Sequence, residues 1–390
     1  MTTPLQHLPG KAAWKGSSFD FKTRALRTLT SAQIDEIDAG LATYEQQNQQ
    51  DLLAIEAKTF PLPSVGAFMR DLLYDLRYSA GVILLRGLPR ERYSHEQLAK
   101  IYFALGTHLG VAVPQSHQGE LLGSVIDISD ADAGVRGYQA GGRQSFHTDG
   151  TACDIVSLMC VQAARSGGAS RIVSAVAVHN ALIERRPDLA QVFYDGFIYR
   201  LMDKDAAAMG IDPTTPYPVQ IFAQDQGEFF CNLNGGDIRR AVERGDVELT
   251  DLQVEAYDAF QRLANSDEFY LDMDIGEGDM QFLNNRTLLH SRLGYEDHDE
   301  VARRRYMLRL WLEVSDWPKR PERQIVMSFE RARRSIARRD PRIEMPSSFV
   351  AAKQAELSAK RQAGERPPRL QPYQNLSMRD FVTSRQVRRA

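Results

Sequence analysis

Arg304-Arg-Tyr-Met-Leu-Arg-Leu-Trp-Leu312 alternates without interruption. In an extended chain, successive side chains point to opposite faces. Tyr306, Leu308, Leu310 and Leu312 therefore share one face, apolar enough to pack under helices. Arg305, Met307, Arg309 and Trp311 share the other. That face carries two guanidinium groups into the mouth of a β-core, which is costly unless they meet anions. A guanidinium fork suits a carboxylate through two parallel hydrogen bonds. Structural Arg–Asp/Glu bridges would satisfy the same cations. On either reading the stretch is a late strand with one face in a core and the other on a polar cavity.

Working outward, helices dominate the first third of the chain. Thr30 and Gln33 form a capping-box pattern, followed by Ile34, Ile37 and Leu41 at helical spacing. A second helix over about 64–78 places Phe68, Leu72 and Leu76 on one face. Gly81 ends it, and 81–87 reads as a buried strand. Ser94 and Gln97 cap a third helix bearing Leu98, Ile101, Leu105 and Leu109, stopped by Gly110. From about residue 120 the pattern shifts to strands: 121–128, 155–162 and 172–174, with a Gly/Asp/Ala-rich loop over 130–143 and a turn at Gly167-Gly168. Ser174 caps a helix to about Arg186, and 256–265 is helical. Strands return at 280–283, 287–290 and 306–314. This order predicts an α+β fold, an antiparallel β-core with helices packed outside, rather than alternating βαβ units. Residues 320–390 read as an appended helical and irregular tail, with a linker at 364–369.

Gln144-Ser-Phe-His-Thr-Asp-Gly150 places His147 and Asp149 two residues apart, on one face if the segment is a strand. An imidazole and a carboxylate can then converge on one ion. A third ligand has to come from elsewhere, and His290, in Phe282-Leu-Asn-Asn-Arg-Thr-Leu-Leu-His-Ser-Arg292, sits on a predicted strand pair. Two imidazoles and one carboxylate make the facial triad of non-haem iron(II) oxygenases, which leaves three coordination positions open. A zinc hydrolase needs one open position, so the triad by itself leaves that chemistry open. The remaining histidines, His7, His95, His108, His117, His179 and His298, fall outside the motifs and read as surface, capping or core residues.

The bulk numbers exclude several classes. The chain has 390 residues, 43% hydrophobic and 25% charged, an ordinary globular balance. Cys153, Cys160 and Cys231 form no CxxC pair, so a disulfide framework is not expected and a reducing compartment is. The first residues lack a signal-peptide pattern, and no apolar run is long enough for a membrane span, so a cytoplasmic location is expected. Net charge is −3 but unevenly placed: residues 315–390 hold 18 Lys+Arg against 8 Asp+Glu, a net +10, leaving −13 on residues 1–314. The tail has few aromatics and no nucleic-acid motif, so it is expected to pack on its own acidic domain or on a sister subunit in a homo-oligomer, not on nucleic acid.

Taken together, Phe-His147-Thr-Asp149-Gly, Gly167-Gly-Ala-Ser170, Asn284-Asn-Arg-Thr-Leu-Leu-His290-Ser-Arg and Arg304-Arg305-Tyr-Met-Leu-Arg309 resemble, in this order, four segments of the taurine dioxygenase/TfdA-like (clavaminate synthase-like) oxygenases. The resemblance runs from about Phe60 to Trp317. It implies a double-stranded β-helix (jelly-roll) domain over 60–317, between a helical extension at 1–59 and a basic extension at 318–390. It further implies that His147, Asp149 and His290 hold Fe(II), that Ser170 and Arg305 hold the co-substrate 2-oxoglutarate, and that O2 is consumed with release of succinate and CO2. Among the adjacent Arg303, Arg304 and Arg305, the last shares a face with Arg309 and is taken as the co-substrate residue. Asp149 argues for hydroxylation, because halogenating relatives lack the carboxylate. Arg309, Arg143, Asn232 and Asn234 are the expected substrate residues, with Tyr138 nearby and the two asparagines alternating on a strand. The expected substrate is a small, carboxylate-bearing metabolite. The competing readings are a catalytically silent metal-binding jelly roll that acts as a sensor or scaffold, and a zinc hydrolase.

Overall fold

A computed structural model describes residues 5–47, 51–131, 135–150, 152–325, 329–332, 334–335, 345–365, 367–370 and 377–389. Two sheets face each other. The larger runs in the order Leu26–Thr28, Val82–Arg86, Met280–Asn284, Ile155–Gln162, Tyr306–Glu313 and Val111–Ala112, with Leu122–Val125 also paired to the Tyr306 strand. Its pairs are antiparallel except the first. The smaller holds Tyr270–Met273, Ser170–Ser174 and Leu288–Arg292, all antiparallel. This is the jelly-roll core that the motifs imply.

The alternation of the closing strand sorts as the residues require. Tyr306, Leu308, Leu310 and Leu312 are buried in one cluster with the apolar faces of the helices Ser31–Gln46, Pro63–Tyr78 and His95–Thr107. Trp311 lies instead between the two sheets, with Val156, Ile172 and Leu283. Both capping boxes form: Thr30 with Gln33, and Ser94 with Gln97. Such caps satisfy amides that a helix start would otherwise leave bare. On the outer side of the small sheet, Val173 and Leu289 join the faces of Ala175–Arg185, Pro187–Asp195 and Asp251–Ala264. The layers are thus helices, large sheet, small sheet, helices.

Four local expectations change. The strand over 121–128 shortens to Leu122–Val125. The 130–143 loop contains a 3-10 turn at Gly137–Gln139, and its residues 132–134 lie outside the described residues. Asn232 and Asn234 do not alternate on a strand: Glu228–Cys231 ends before them, and Asn234 caps the helix Gly235–Arg244 by accepting from Gly236 and Asp237 amides at 3.1 and 3.2 Å. Asn is among the best N-caps, and that preference overrides the period-two pattern. The HxD segment joins no ladder, since His147 makes a single antiparallel bridge to His290 and Asp149 none.

The basic tail lies on the same body. Pro346–Gln362 buries Phe349 and Leu357 among the residues of the large-sheet helices. Arg369 sits 3.7 Å from Asp130 and 3.5 Å from Asp299, and Arg334 pairs with Glu313 at 2.7 Å. Met378 and Phe381, on the helix Met378–Arg389, join the cluster around Asp251–Ala264.

Candidate metal centre

His147 and His290 exchange main-chain hydrogen bonds of 3.0 and 2.9 Å, which brings segments 143 residues apart into register. Between the two expected ligands, Thr148 turns away: its N donates to Leu233 O and its Oγ1 accepts from Leu233 N, each at 2.9 Å. The extended backbone thereby keeps His147 and Asp149 on one side even without a ladder. His147 Nδ1 lies 2.8 Å from Ser145 O, which assigns the ring proton to Nδ1 and leaves the Nε2 lone pair facing inward. Asp149 Oδ1 is 3.8 Å from His147 Nε2 and 3.9 Å from His290 Nε2. These separations are too long for hydrogen bonds, yet shorter than two metal–ligand bonds of roughly 2.0–2.2 Å laid end to end. Among the described residues this trio is the group whose ligand atoms all lie within 4.8 Å of one another. The donor set and its spacing fit a divalent ion such as Fe(II).

Electrostatics prepare the ligands. Burial works against an ionised Asp149, but Arg309, then His290 and His147, and the Trp311 hydrogen bond hold its carboxyl below the ordinary range. Burial, then the neighbouring His147, pushes His290 down to about 3, so it presents a neutral imidazole. Metal binding needs both states: an ionised carboxylate and neutral rings.

The three arginines at the start of the closing strand separate cleanly. Arg304 is fully buried away from the cavity, with Nη1 and Nη2 on the two oxygens of Asp130 at 2.7 and 2.6 Å and Nη1 also on Asp127 O at 2.6 Å. Arg303 faces outward, 3.8 Å from Glu300. Arg305 lines the cavity. Its guanidinium makes one long bond, Nη2 to Gly168 O at 3.5 Å, and lies 5.5 Å from the centre of the Tyr295 ring. Arg292 is near the same ring, at 5.0 Å, and donates to the carbonyls of Ala140 and Gly142. Among the described residues, neither guanidinium has a carboxylate at ion-pair distance. Ser170 is buried on the cavity wall and exchanges hydrogen bonds of 3.0–3.2 Å with Gln281. Arg309 is clamped at both ends by Gln115: Nε donates to Gln115 Oε1 at 2.7 Å, and Gln115 Nε2 donates to Arg309 O at 2.9 Å. It stacks 4.2 Å over the Tyr138 ring.

The trio opens on a cavity of about 500 Å³. Arg143, Asn232, Asn234 and Tyr138 all reach its wall. Arg143 donates to Asn265 at 2.8 Å, and Asn232 Nδ2 to Gln324 O at 3.2 Å. The wall also draws on Gln324, Phe329 and Glu330 from the basic extension. Two contacts of Asp149 escaped the sequence reading. Asn285 Oδ1 accepts from Asp149 N at 2.9 Å, while its Nδ2 donates to Asp149 O and Cys153 O at 3.2 and 2.8 Å. Trp311 Nε1 donates to Asp149 Oδ2 at 2.6 Å. Both stood inside quoted motifs, but no local pattern says which partner a side chain meets.

Comparison with known proteins agrees with this architecture. FR-33289 synthase of Streptomyces rubellomurinus is 27% identical over 318 residues, covering 79% of this chain and 90% of that protein. The taurine hydroxylase-like protein SAT17 of Stachybotrys chartarum is 26% identical over 319 residues, 78% of this chain and 79% of that protein. Among solved structures, an asparagine oxygenase in complex with Fe(II), 2S,3S-3-hydroxyasparagine and succinate superposes with a TM-score of 0.58 at 14% identity, over 74% of this chain and 94% of its own. The non-haem iron oxygenase OrfP in complex with Fe and alpha-ketoglutaric acid gives 0.55 at 13% identity, over 78% and 99%. The model of the taurine catabolism dioxygenase TauD, TfdA family matches residues 46–311, from the end of the first long helix to Trp311 beside the His147–Asp149–His290 cluster, and the chain belongs to that family.

Proposed function

We propose that the protein is an Fe(II)- and 2-oxoglutarate-dependent dioxygenase that oxidises, by hydroxylation, a C–H bond of a small carboxylate-bearing metabolite. The observation that carries this reading is the pairing of a two-histidine, one-carboxylate cluster with buried arginines, Arg305 and Arg292, that among the described residues meet carbonyls and a ring but no carboxylate. Buried cations of this kind call for an anion, and 2-oxoglutarate brings a distal carboxylate. A zinc hydrolase gives no reason for that patch.

In this reading His147, Asp149 and His290 hold the iron, and Arg305 and Ser170 hold the far end of the co-substrate. When bound, iron and 2-oxoglutarate supply the oxidising chemistry, with O2 consumed and succinate and CO2 released. The chain's own task is position and dryness. Val125, Val156, Leu158 and Phe146 line the cavity and keep water from the reacting C–H bond. Arg309, fixed by Gln115 and Tyr138, is offered to an acidic group of the substrate, with Arg143 nearer the mouth. The amides of Asn232 and Asn234 already serve the scaffold, so they shape the wall and offer the substrate their remaining hydrogen-bonding capacity. Phe329 and Glu330 make the basic extension part of the substrate wall.

The test is a screen of metabolite pools for substrate-stimulated succinate release in the presence of Fe(II), 2-oxoglutarate and ascorbate, with the product identified by mass. A gain of one oxygen in an acidic metabolite is the expected result, together with inhibition by N-oxalylglycine. Absence of succinate under all conditions favours the silent scaffold. Zinc-supported hydrolysis that N-oxalylglycine leaves untouched favours a hydrolase.

A further inference from the structure

The two oxygens of Asp149 have different surroundings. Oδ1 faces both imidazoles, at 3.8 and 3.9 Å. Oδ2 is turned away from them, accepts the Trp311 indole N–H at 2.6 Å and lies 3.7 Å from Arg309 Nη1. The indole itself is wedged between the sheets beside Val156 and Leu283, on a strand paired along its length with Ile155–Gln162. It cannot follow a carboxylate that rotates. We infer that Trp311 is a positioning residue that makes Asp149 a one-oxygen ligand, an inference that rests on the metal-centre reading above.

The stereochemical reason is economy of coordination positions. A facial triad leaves just enough for a chelating 2-oxo acid and dioxygen. A carboxylate that gripped the ion through both oxygens would occupy one of those. A short N–H···O⁻ bond from a rigid donor to Oδ2 prevents this. Partners of this kind, which orient a ligand without touching the metal, typically change metal affinity by roughly 10–100-fold when removed. A merely space-filling indole would instead be replaced by phenylalanine with little effect on the ion.

Cobalt(II) binding, followed by visible absorption, tests this without any substrate. Wild type, Trp311→Phe, Trp311→Tyr and His290→Ala are titrated, and the melting of each metal-free protein is recorded to establish that it is folded. Trp311→Phe is expected to raise the dissociation constant about 10–100-fold. Trp311→Tyr, which differs from it by one O–H donor, is expected to lie between Trp311→Phe and wild type. A folded Trp311→Phe protein that binds cobalt as tightly as wild type overturns the inference while leaving the metal centre standing. Failure of wild type to bind cobalt, or equal binding by His290→Ala, removes the metal centre itself and the inference with it. A second measurement does not depend on folding of a tryptophan variant. The chain has 3 tryptophans, so ¹⁵N-indole labelling yields a short set of N–H resonances. In the metal-free protein, Asp149→Asn should move one of them upfield, and cobalt should displace that same resonance most in wild type. If Asp149→Asn leaves all of them in place, the hydrogen bond does not exist and the inference falls.

Discussion

Adjacent arginines in this chain have unrelated surroundings, and their removal should read out differently. Arg305 faces the cavity with few partners, so Arg305→Ala should chiefly raise the 2-oxoglutarate concentration needed for half-maximal succinate formation. Losing hydrogen bonds to a charged group costs about 1.5–3 kcal/mol, which corresponds to roughly 10–150-fold. Arg304 is bound to both oxygens of Asp130 with no exposed surface. Arg304→Met should leave the buried Asp130 with, among the described residues, only the more distant Arg369, 3.7 Å away, as counter-charge, with a loss of up to about 3–5 kcal/mol in denaturant unfolding. A swap of the two phenotypes would show that the co-substrate arginine is misassigned. Asp149→Ala should abolish coupled turnover, and Arg309→Ala should alter substrate use more than the 2-oxoglutarate requirement.

At the level of elements, the candidate ligand His290 lies on a strand, whereas His147 and Asp149 are held by loop contacts. The turn between Met280–Asn284 and Leu288–Arg292 carries Asn285, whose amide grips the backbone of Asp149 from both sides. Asn285→Leu removes these bonds and strands buried polar groups at about 1–3 kcal/mol each. A lowered midpoint of thermal unfolding together with weaker cobalt binding is the expected outcome; unchanged metal affinity would assign Asn285 to stability alone. The turn before Ser170 acts on Arg305. Gly168 has φ +81°, and a Cβ there would come within 3.1 Å of Arg305 Nε and 3.3 Å of Tyr295 Cβ. Gly168→Ala should therefore cost about 1–2 kcal/mol in backbone strain and raise the 2-oxoglutarate requirement in the same direction as Arg305→Ala, detectable in succinate assays.

The whole molecule closes around the cavity with its extension. Gln324 donates to Ile221 O and Phe230 O at 3.1 and 3.0 Å, and Arg320 to Cys231 O and Asn285 O at 3.1 and 3.2 Å. These bonds tie the chain beyond residue 317 to the backbone of the 221–231 hairpin and, through Arg320, to the turn that carries Asn285. Phe349 and Leu357 fill the helical layer over the large sheet. Removal of residues 318–390 should give a chain without a cooperative unfolding transition. A soluble truncated protein with wild-type succinate formation would refute that dependence. Phe349→Ala, a milder cut, should cost about 3–5 kcal/mol.

Much of this was legible locally. Period-two alternation over 304–312 separated the two faces of the closing strand, helical spacing and capping pairs placed the three long helices of the first third, and ordered motifs pointed to the residues that gather at the candidate metal centre, because hydrophobic periodicity and backbone capping are written within a few residues of each other. The partners were not. That Asp130 claims Arg304, that Thr148 hooks onto Leu233, that Asn285 grips Asp149 and that Trp311 reaches its carboxylate were decided only when distant segments were packed together. Asn234 shows the limit from the other side: alternation suggested a strand, and the need to cap a helix at that point in space won. Sequence determines which face a side chain can use; tertiary packing determines what stands opposite it, since contacts across the fold depend on loop paths that no short-range period encodes.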